Sequence, residues 1–190
     1  MNLPNKLTVL RLLLIPVFTA VFYLTVIPYN YVISAGIFVV AATTDFLDGY
    51  IARKYNLVTN LGKFLDPIAD KVLVSTALIV MLVPFGGLQI LPFYGAIAVA
   101  IILARELIVS GFRIVAASKG MVIAADKAGK IKTFVQDIAI VVLLVGGNVT
   151  PVLYGWMNLA GLIILGVATL LTIISGTECI VKNIAVLKDN

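Results

Sequence analysis

The chain of 190 residues contains no histidine and a single cysteine, Cys179. Without histidine, general base catalysis must fall to Asp, Glu, Lys or Tyr, and a bound metal must be held mainly by carboxylates. One cysteine excludes an internal disulfide and a cysteine cluster for zinc. These absences restrict the chemistry to oxygen ligands and to bases other than imidazole.

Polar side chains are also too few for a soluble domain of this length. Only 12% of the residues are charged, 62% are hydrophobic, and the mean hydropathy is +1.14. We therefore predict an integral membrane protein. The net charge is +5, and the fourteen lysines and arginines are spread through short links between apolar stretches. That pattern favours anionic lipid head groups and phosphorylated substrates as partners, and no nucleic acid.

Six apolar stretches predict an all-α bundle of six transmembrane helices that forms a single domain over residues 1–190. The predicted spans are residues 7–27, 31–53, 66–83, 90–117, 132–145 and 153–181. The third span is predicted to start at Asp66 because aspartate is a favoured N-cap and proline, here Pro67, is favoured in the first turn.

A short interfacial segment is predicted ahead of the first span. Over residues 1–11, Asn5 can cap a helix, while Lys6 and Arg11 can reach the lipid head groups. Arg11 interrupts the apolar run and no cleavage motif follows it, so we expect this segment to be retained rather than removed as a signal peptide.

The distribution of positive charge predicts the orientation in the membrane. Both termini, the link between spans two and three, and the link between spans four and five hold the lysines and arginines outside the spans, whereas the other three links hold none. By the positive-inside rule, both termini and both basic links lie in the cytoplasm. The polar stretch at residues 45–70 is then at the cytoplasmic face.

Residues 45–70 hold four of the nine acidic residues, as the pairs Asp45/Asp48 and Asp66/Asp70. Neighbours at i,i+3 and i,i+4 share a helix face, so each pair can present two carboxylates in one direction. Two pairs that face each other would form a site rich in hard oxygen ligands, which Mg²⁺ or Mn²⁺ requires.

Purely structural roles are the alternative for these acids. Asp66 can serve only as an N-cap, and Asp70 only as a favourable acid in the first helical turn. Asp45 and Asp48 are harder to explain in this way, because an unpaired acid buried in a spanning helix is costly. They can instead pair with nearby cations, namely Arg53, Lys63 or Lys71.

The spacing of this stretch is D-x2-D-G-x2-A-R-x8-G-x3-D-x3-D, and its fixed positions are Asp45, Asp48, Gly49, Ala52, Arg53, Gly62, Asp66 and Asp70. It resembles, at every fixed position, the motif of the CDP-alcohol phosphatidyltransferase family of membrane enzymes in phospholipid synthesis. Eight fixed positions in so short a window make a specific pattern. The chain length and the segments NLPNKLTVLR, ARELIVSGFR and GKIKT resemble the bacterial branch that forms phosphatidylglycerophosphate.

The resemblance implies a six-helix membrane fold and the transfer of a phosphatidyl group from CDP-diacylglycerol to an alcohol, with release of CMP. It implies that Asp45, Asp48, Asp66 and Asp70 hold Mg²⁺ or Mn²⁺, as two ions, and that Asp70 is also the catalytic base. It implies a CDP-diacylglycerol site formed by Asn5, Thr8, Gly49, Ala52, Arg53, Thr59 and Gly62. A homodimer in the bacterial cytoplasmic membrane is implied as well.

Basic residues in and after the fourth span are candidates for binding the acceptor. Arg105 lies deep in that span, and Arg113 follows on the same face, where a guanidinium matches a phosphate dianion such as that of glycerol 3-phosphate. Lys130 and Lys132 can close the same pocket. The alternative is that Arg105 pairs with an acid, either Asp137 or Glu106, while the lysines bind anionic lipid.

Transfer to glycerol 3-phosphate is therefore the predicted function. Inositol phosphate, serine or phosphatidylglycerol are alternative acceptors for the same chemistry. A small cation or proton transporter is an alternative of another class, although transporter acids usually lie near the membrane midplane between repeats. A lipid-binding membrane protein without catalytic activity is a further alternative.

Overall fold

The structure, a computed structural model, describes residues 2–54, 60–84, 88–121, 123 and 127–184. Over these residues the chain forms six α-helices, which confirms the all-α class. They are α1 (Leu3–Tyr23), α2 (Asn30–Lys54), α3 (Asn60–Leu82), α4 (Phe93–Ser118), α5 (Lys127–Gly146) and α6 (Pro151–Lys182).

Three of the helices in the described part of the chain are long and apolar enough to cross a membrane. These stretches are Pro4–Tyr23, Phe93–Ser118 and Val152–Lys182, and the apolar part of α2, Asn30–Thr44, is shorter. Large apolar side chains on these helices face outward, including Leu13, Leu107 and Trp156, which are 61%, 73% and 71% exposed. Exposed apolar surface of this extent suits contact with lipid rather than with water.

The predicted interfacial segment is wrong as a separate element, because α1 runs without a break from Leu3 to Tyr23. Its N-cap is Asn2, and a proline lies in the first turn, where the missing N–H costs no helical hydrogen bond. The helix also ends before the predicted limit at residue 27. Arg11, which was predicted to reach the head groups, is fully buried instead.

Helix α3 starts at Asn60 and not at Asp66, so the predicted N-cap is wrong. The apolar residues of the sequence NLGKFL continue the helical pattern ahead of Asp66, and they outweigh the local Asp-Pro signal. Pro67 is accommodated inside the helix. Asp66 and Asp70 therefore lie in the interior of α3, where a capping role does not explain either residue.

The helices pack in two connected groups. Helix α1 lies against α2 and α3, while α6 packs along α5 and also contacts α4, and α2 meets α5 between the groups. Phe18, Phe22 and Phe38 fill the core beside α1 and α2. The ring of Tyr31 meets that of Phe22 edge-on, with centroids 5.0 Å apart.

The start of α2 is fixed by Asn148, which lies between α5 and α6. Its Oδ1 accepts hydrogen bonds from the backbone N–H groups of Tyr31, at 2.6 Å, and of Val32, at 3.1 Å. Asn30 in turn donates to the carbonyl of Phe22 at 2.7 Å. Because the first amides of a helix lack helical partners, Asn148 acts as a cap supplied by a distant part of the chain.

Close approach of α5 and α6 depends on Gly161. A Cβ at this position would lie 2.6 Å from Cγ and 3.4 Å from the backbone nitrogen of Leu143, whereas a Cβ at Gly166 on the same helix would meet nothing within 4 Å. The two glycines therefore form a matched pair for substitution, because a Cβ at residue 161 would clash with Leu143 and a Cβ at residue 166 would point into open space.

Gly161→Ala is expected to destabilise the protein by about 1–3 kcal/mol through overpacking. Gly166→Ala is expected to be neutral or to stabilise by up to about 1 kcal/mol, since alanine is the better helix former. Thermal unfolding of both variants in the same detergent measures the difference. Equal melting temperatures for the two variants would contradict the packing described at Gly161.

Candidate active site

The four predicted metal ligands lie on two helices that pack against each other. Asp45 and Asp48 are in the second half of α2, and Asp66 and Asp70 are in α3. The side chains of Asp45 and Asp48 lie outside the described residues. So do those of the predicted CDP-diacylglycerol ligands Ala52 and Arg53, and Gly49 and Thr59 are likewise not described.

Asp66 is held by a side chain from the first helix. The hydroxyl of Thr8, which is fully buried, donates a hydrogen bond of 2.6 Å to Oδ1 of Asp66. Asp66 itself is half-buried. A short hydrogen bond to a carboxylate fixes the rotamer of the acid, so Thr8 orients one predicted metal ligand from across the α1–α3 contact.

Two other predicted CDP-diacylglycerol ligands lie in the described structure. Asn5 is buried, with 5% of its surface exposed, and it lies one turn before Thr8 on α1. Gly62 is buried near the start of α3. Both are therefore on the same two helices as the Thr8–Asp66 hydrogen bond, and their contact with a nucleotide stays a prediction.

Arg11 connects α1 to the acid-bearing half of α2. Its Nε donates to the carbonyl of Ala41 at 3.1 Å and lies 3.4 Å from Oγ1 of Thr44, the residue before Asp45. A guanidinium buried to this extent needs partners that compensate its desolvation. The contacts of Arg11 with Ala41 and Thr44 support a role in holding this end of α2 in place.

A second polar centre is built around Glu106 of α4. Its Oε1 pairs with Lys132 Nζ of α5 and, at 3.2 Å, with Nη1 of Arg105. Arg105 reaches α6 as well, because its Nη2 donates to Ser175 Oγ at 2.9 Å. Lys71 of α3 donates to the hydroxyl of Ser110 on α4. We call Lys71, Arg105, Glu106 and Lys132 the Glu106 cluster; it joins α3, α4 and α5, and Arg105 extends it to α6.

The Glu106 cluster shows which acid pairs with Arg105, while binding of an acceptor by this residue stays a prediction. Its acidic partner is Glu106, whereas Asp137, the other predicted partner, lines a separate apolar cleft between α2 and α5. Two cations, Arg105 and Lys132, share the carboxylate of Glu106, so this acid alone does not neutralise both of them. A surplus of positive charge in partly buried surroundings favours a bound anion.

Arg105 fits against α6 only because residue 176 is glycine. A Cβ at Gly176 would lie 2.8 Å from Cγ and 3.1 Å from Nε of Arg105. The neighbouring Ser175 is fully buried and holds the guanidinium. Ser175 and Gly176 thus fix the direction of Arg105, and neither was singled out by the sequence.

The structure separates the four cations predicted to bind an acceptor. Arg105 and Lys132 meet at Glu106, and Lys132 is almost completely buried, with 2% of its surface exposed. Arg113 and Lys130 are exposed and take no part in the Glu106 cluster. Arg113 lies about 12 Å further along α4, at 1.5 Å per residue.

A small cavity lies between Asp70 and the Glu106 cluster. Its volume is about 20 Å³, and it is lined by Asp70 and Lys71 of α3, by Glu106 of α4 and by Lys132 of α5, together with Val74, Ser75, Ile102, Leu103, Thr133 and Gln136. Asp70, the predicted base, therefore opens onto the same space as the buried lysine. The spacing of these residues in the sequence did not predict that they line one cavity.

The two described carboxylates, those of Asp66 and Asp70, are oxygen donors of the kind that a hard divalent cation prefers, although the described residues contain no group of three possible ligands. Asp66 and Asp70 are one turn apart on α3, both are half-buried, and neither histidine nor a cysteine pair is present in the chain to favour a softer metal. The hydrogen bond from Thr8 to Asp66 is the kind of outer contact that orients a carboxylate ligand.

Comparison with known proteins gives the family. A family model described as CDP-alcohol phosphatidyltransferase matches residues 1–174. The CDP-diacylglycerol–glycerol-3-phosphate 3-phosphatidyltransferase of Bacillus subtilis (strain 168) is 44% identical, over 98% of this chain and 97% of its own length. The protein of the same name from Rickettsia bellii (strain RML369-C) is 44% identical over 92% and 91%, and that from Salmonella paratyphi A (strain ATCC 9150 / SARB42) is 37% identical over 90% and 89%.

The family match spans most of the chain, and the relatives align over nearly their whole lengths. The protein therefore belongs to the CDP-alcohol phosphatidyltransferase family.

Proposed function

We propose that this protein transfers the phosphatidyl group of CDP-diacylglycerol to the 1-hydroxyl of sn-glycerol 3-phosphate, forming phosphatidylglycerophosphate and CMP. The names of the relatives support this reaction. The observation in the structure that carries it is the cavity in which the carboxylate of Asp70 shares one space with Lys132 of the Glu106 cluster. A base beside a cationic site suits an acceptor that carries a hydroxyl and a phosphate.

In this mechanism, Asp70 takes the proton of the 1-hydroxyl as its oxygen attacks the β-phosphorus of CDP-diacylglycerol. The bond between that phosphorus and the oxygen of the CMP group breaks, and CMP leaves with the electron pair. Asp45, Asp48, Asp66 and Asp70 would hold two Mg²⁺ or Mn²⁺ ions, which supply charge neutralisation at the pyrophosphate. The attack needs no covalent intermediate with the enzyme.

Lys132 and Arg105 bind the phosphate of the acceptor in this proposal. Both cations are already oriented by Glu106, and Arg105 is oriented further by Ser175, so little side-chain ordering is required when the phosphate enters. A phosphate dianion can replace part of the interaction with Glu106 and use the surplus positive charge of the cluster. An acceptor without a phosphate, such as serine, would leave that charge unused.

For the membrane arrangement, we propose six spans with both termini in the cytoplasm of a bacterium, in line with the positive-inside pattern and the bacterial sources of the relatives. CDP-diacylglycerol would then meet the acids at the cytoplasmic interface, with its acyl chains between helices. The proposed contacts for its head group remain Asn5, Gly49, Ala52, Arg53, Thr59 and Gly62.

The exposed cations Arg113 and Lys130 would attract the anionic substrate toward the site. A homodimer remains a prediction.

The overall reaction is tested by release of CMP from CDP-diacylglycerol by purified protein with Mg²⁺ or Mn²⁺. We expect turnover with glycerol 3-phosphate, and much less with inositol phosphate, serine or phosphatidylglycerol. Preferred turnover with one of those acceptors would reject the proposed acceptor and keep the family chemistry. Metal-dependent ion flux without CMP release would instead support a transporter.

Asp70→Asn is expected to lower turnover by about 10²–10⁴-fold, because the amide cannot accept the proton of the hydroxyl. Glu178→Gln is the control, since Glu178 is an exposed acid in an i,i+4 pair with Lys182. The control should retain the activity of the unmodified protein. If Asp70→Asn also retains it in a folded protein, the assignment of the base is wrong.

Thr8→Val removes the hydrogen bond to Asp66 with little change in side-chain volume. We expect the concentration of Mg²⁺ or Mn²⁺ that gives half-maximal activity to rise about 10–100-fold, since outer contacts orient metal ligands. Thr177→Val is the control, because Thr177 is exposed and its hydroxyl bonds only to carbonyls of its own helix in the described structure. An unchanged metal requirement for Thr8→Val would show that the contact does not serve the metal site.

Lys132→Met removes the buried cation and keeps most of the apolar side chain. The KM for glycerol 3-phosphate should rise about 10–100-fold, the range expected for a lost hydrogen bond to a charged group, while the KM for CDP-diacylglycerol changes little. Lys182→Met, at an exposed lysine, is the control. A rise in both KM values by the same factor would point to general damage rather than to a phosphate site.

A further inference from the structure

Gln136 of α5 is a buried amide whose carbonyl oxygen has no hydrogen-bond partner within the described structure. Only 1% of its surface is exposed, and its Oε1 has no hydrogen-bond partner among the described residues. Burial of a polar group without a partner is unfavourable, so such an atom usually forms a hydrogen bond with a water molecule or a ligand. Gln136 takes no part in the proposed proton transfer or in the proposed phosphate binding.

The cavity lined by Gln136 is the one that contains the proposed base. Asp70 and Lys132 line the same space, whose volume of about 20 Å³ suffices for one water molecule or one hydroxyl group. Ser75 and Thr133 add further polar lining. The cavity therefore offers polar contacts to a small hydroxylated group, beside the apolar side chains of Val74, Ile102 and Leu103.

The register of α5 relates Gln136 to the proposed phosphate site. Lys132 and Gln136 are four residues apart in one helix, so their side chains lie on the same face, separated by about one turn of 5.4 Å. Glycerol 3-phosphate carries its secondary hydroxyl on the carbon next to the one that bears the phosphate ester. A phosphate at Lys132 would bring that hydroxyl within reach of Gln136.

We propose that Gln136 accepts a hydrogen bond from the secondary hydroxyl of the acceptor and so sets a preference for polyol phosphates over simpler hydroxyalkyl phosphates. This inference rests on the proposed function, because it takes the acceptor phosphate to lie at Lys132. Gln136 acts in it as a specificity residue: it touches the substrate and transfers no proton.

The test compares two acceptors that differ only in the secondary hydroxyl, glycerol 3-phosphate and 3-hydroxypropyl phosphate. The unmodified protein should show a kcat/KM about tenfold higher for glycerol 3-phosphate, since one neutral hydrogen bond is at stake and water can enter the cavity in its place. Gln136→Leu should lose this preference, through a fall of about tenfold with glycerol 3-phosphate and a change of less than about twofold with the other acceptor.

Gln89→Leu is the matched control, because Gln89 is the other glutamine of the chain and is exposed in the link between α3 and α4. It should keep the preference unchanged. Equal losses with both acceptors in Gln136→Leu would overturn the proposal and indicate a structural role. Failure of the unmodified protein to use either phosphate-bearing acceptor would instead reject the proposed function.

Gln136→Glu covers the case in which Gln136→Leu does not fold. It keeps the length of the side chain and an oxygen acceptor, so the ratio of kcat/KM between the two acceptors should remain at about tenfold. The rate with both acceptors should fall, because a carboxylate would repel the phosphate. A ratio close to one in this variant would overturn the proposal.

Discussion

One carboxylate, that of Glu106, holds together the side chains of the Glu106 cluster within a largely apolar bundle. It pairs with Arg105 of its own helix and with Lys132 of α5, and Arg105 extends the contact to Ser175 of α6. Such an ion-pair cluster contributes little net stability, since desolvation offsets much of the Coulomb attraction. Its value in a chain with so few charges is that it fixes where two cations point.

The other polar contacts divide between the two ends of α2. At its start, Asn148 caps the first amides and ties the α5–α6 turn to the helix. Toward its end, Arg11 of α1 donates to the carbonyl of Ala41, and Thr8 of α1 donates to Asp66 on the neighbouring α3. The first end is a structural anchor. The second end carries the predicted metal ligands, and the buried polar residues Thr8 and Arg11 of α1 make their contacts there.

Much of this arrangement follows from the sequence, because the acids, the apolar stretches and the turn residues carry local patterns. The six helices of the described residues and the family were predicted correctly, whereas six membrane spans stay a prediction. The start of α3 was predicted incorrectly, because the apolar residues before the Asp-Pro pair continue the helix. The burial of Arg11 was not predicted either. A cation near a helix end can reach water or turn into the protein, and only the packing of the helices determines which occurs.

The cavity shared by Asp70, Lys132 and Gln136 could not be predicted from spacing, since three helices contribute to it. Two local signals pointed toward it. Glu106 stands beside Arg105 in an apolar helix, and Gln136 follows Lys132 by one turn. Nothing in the sequence marks Gly176 as important, because its role depends on the side chain of Arg105, which packs against it.

In the proposed reaction, the oxygen of the acceptor 1-hydroxyl attacks the lipid-bearing phosphorus and becomes the bridging oxygen of the product. Glycerol 3-phosphate labelled with ¹⁸O in its 1-hydroxyl tests this in a single incubation with CDP-diacylglycerol, Mg²⁺ and the purified protein. Mass spectrometry should find the label in phosphatidylglycerophosphate, at the oxygen that joins glycerol to the phosphatidyl phosphorus, and should find unlabelled CMP. Label in a cytidine-containing product, or an unlabelled lipid product, would contradict the mechanism.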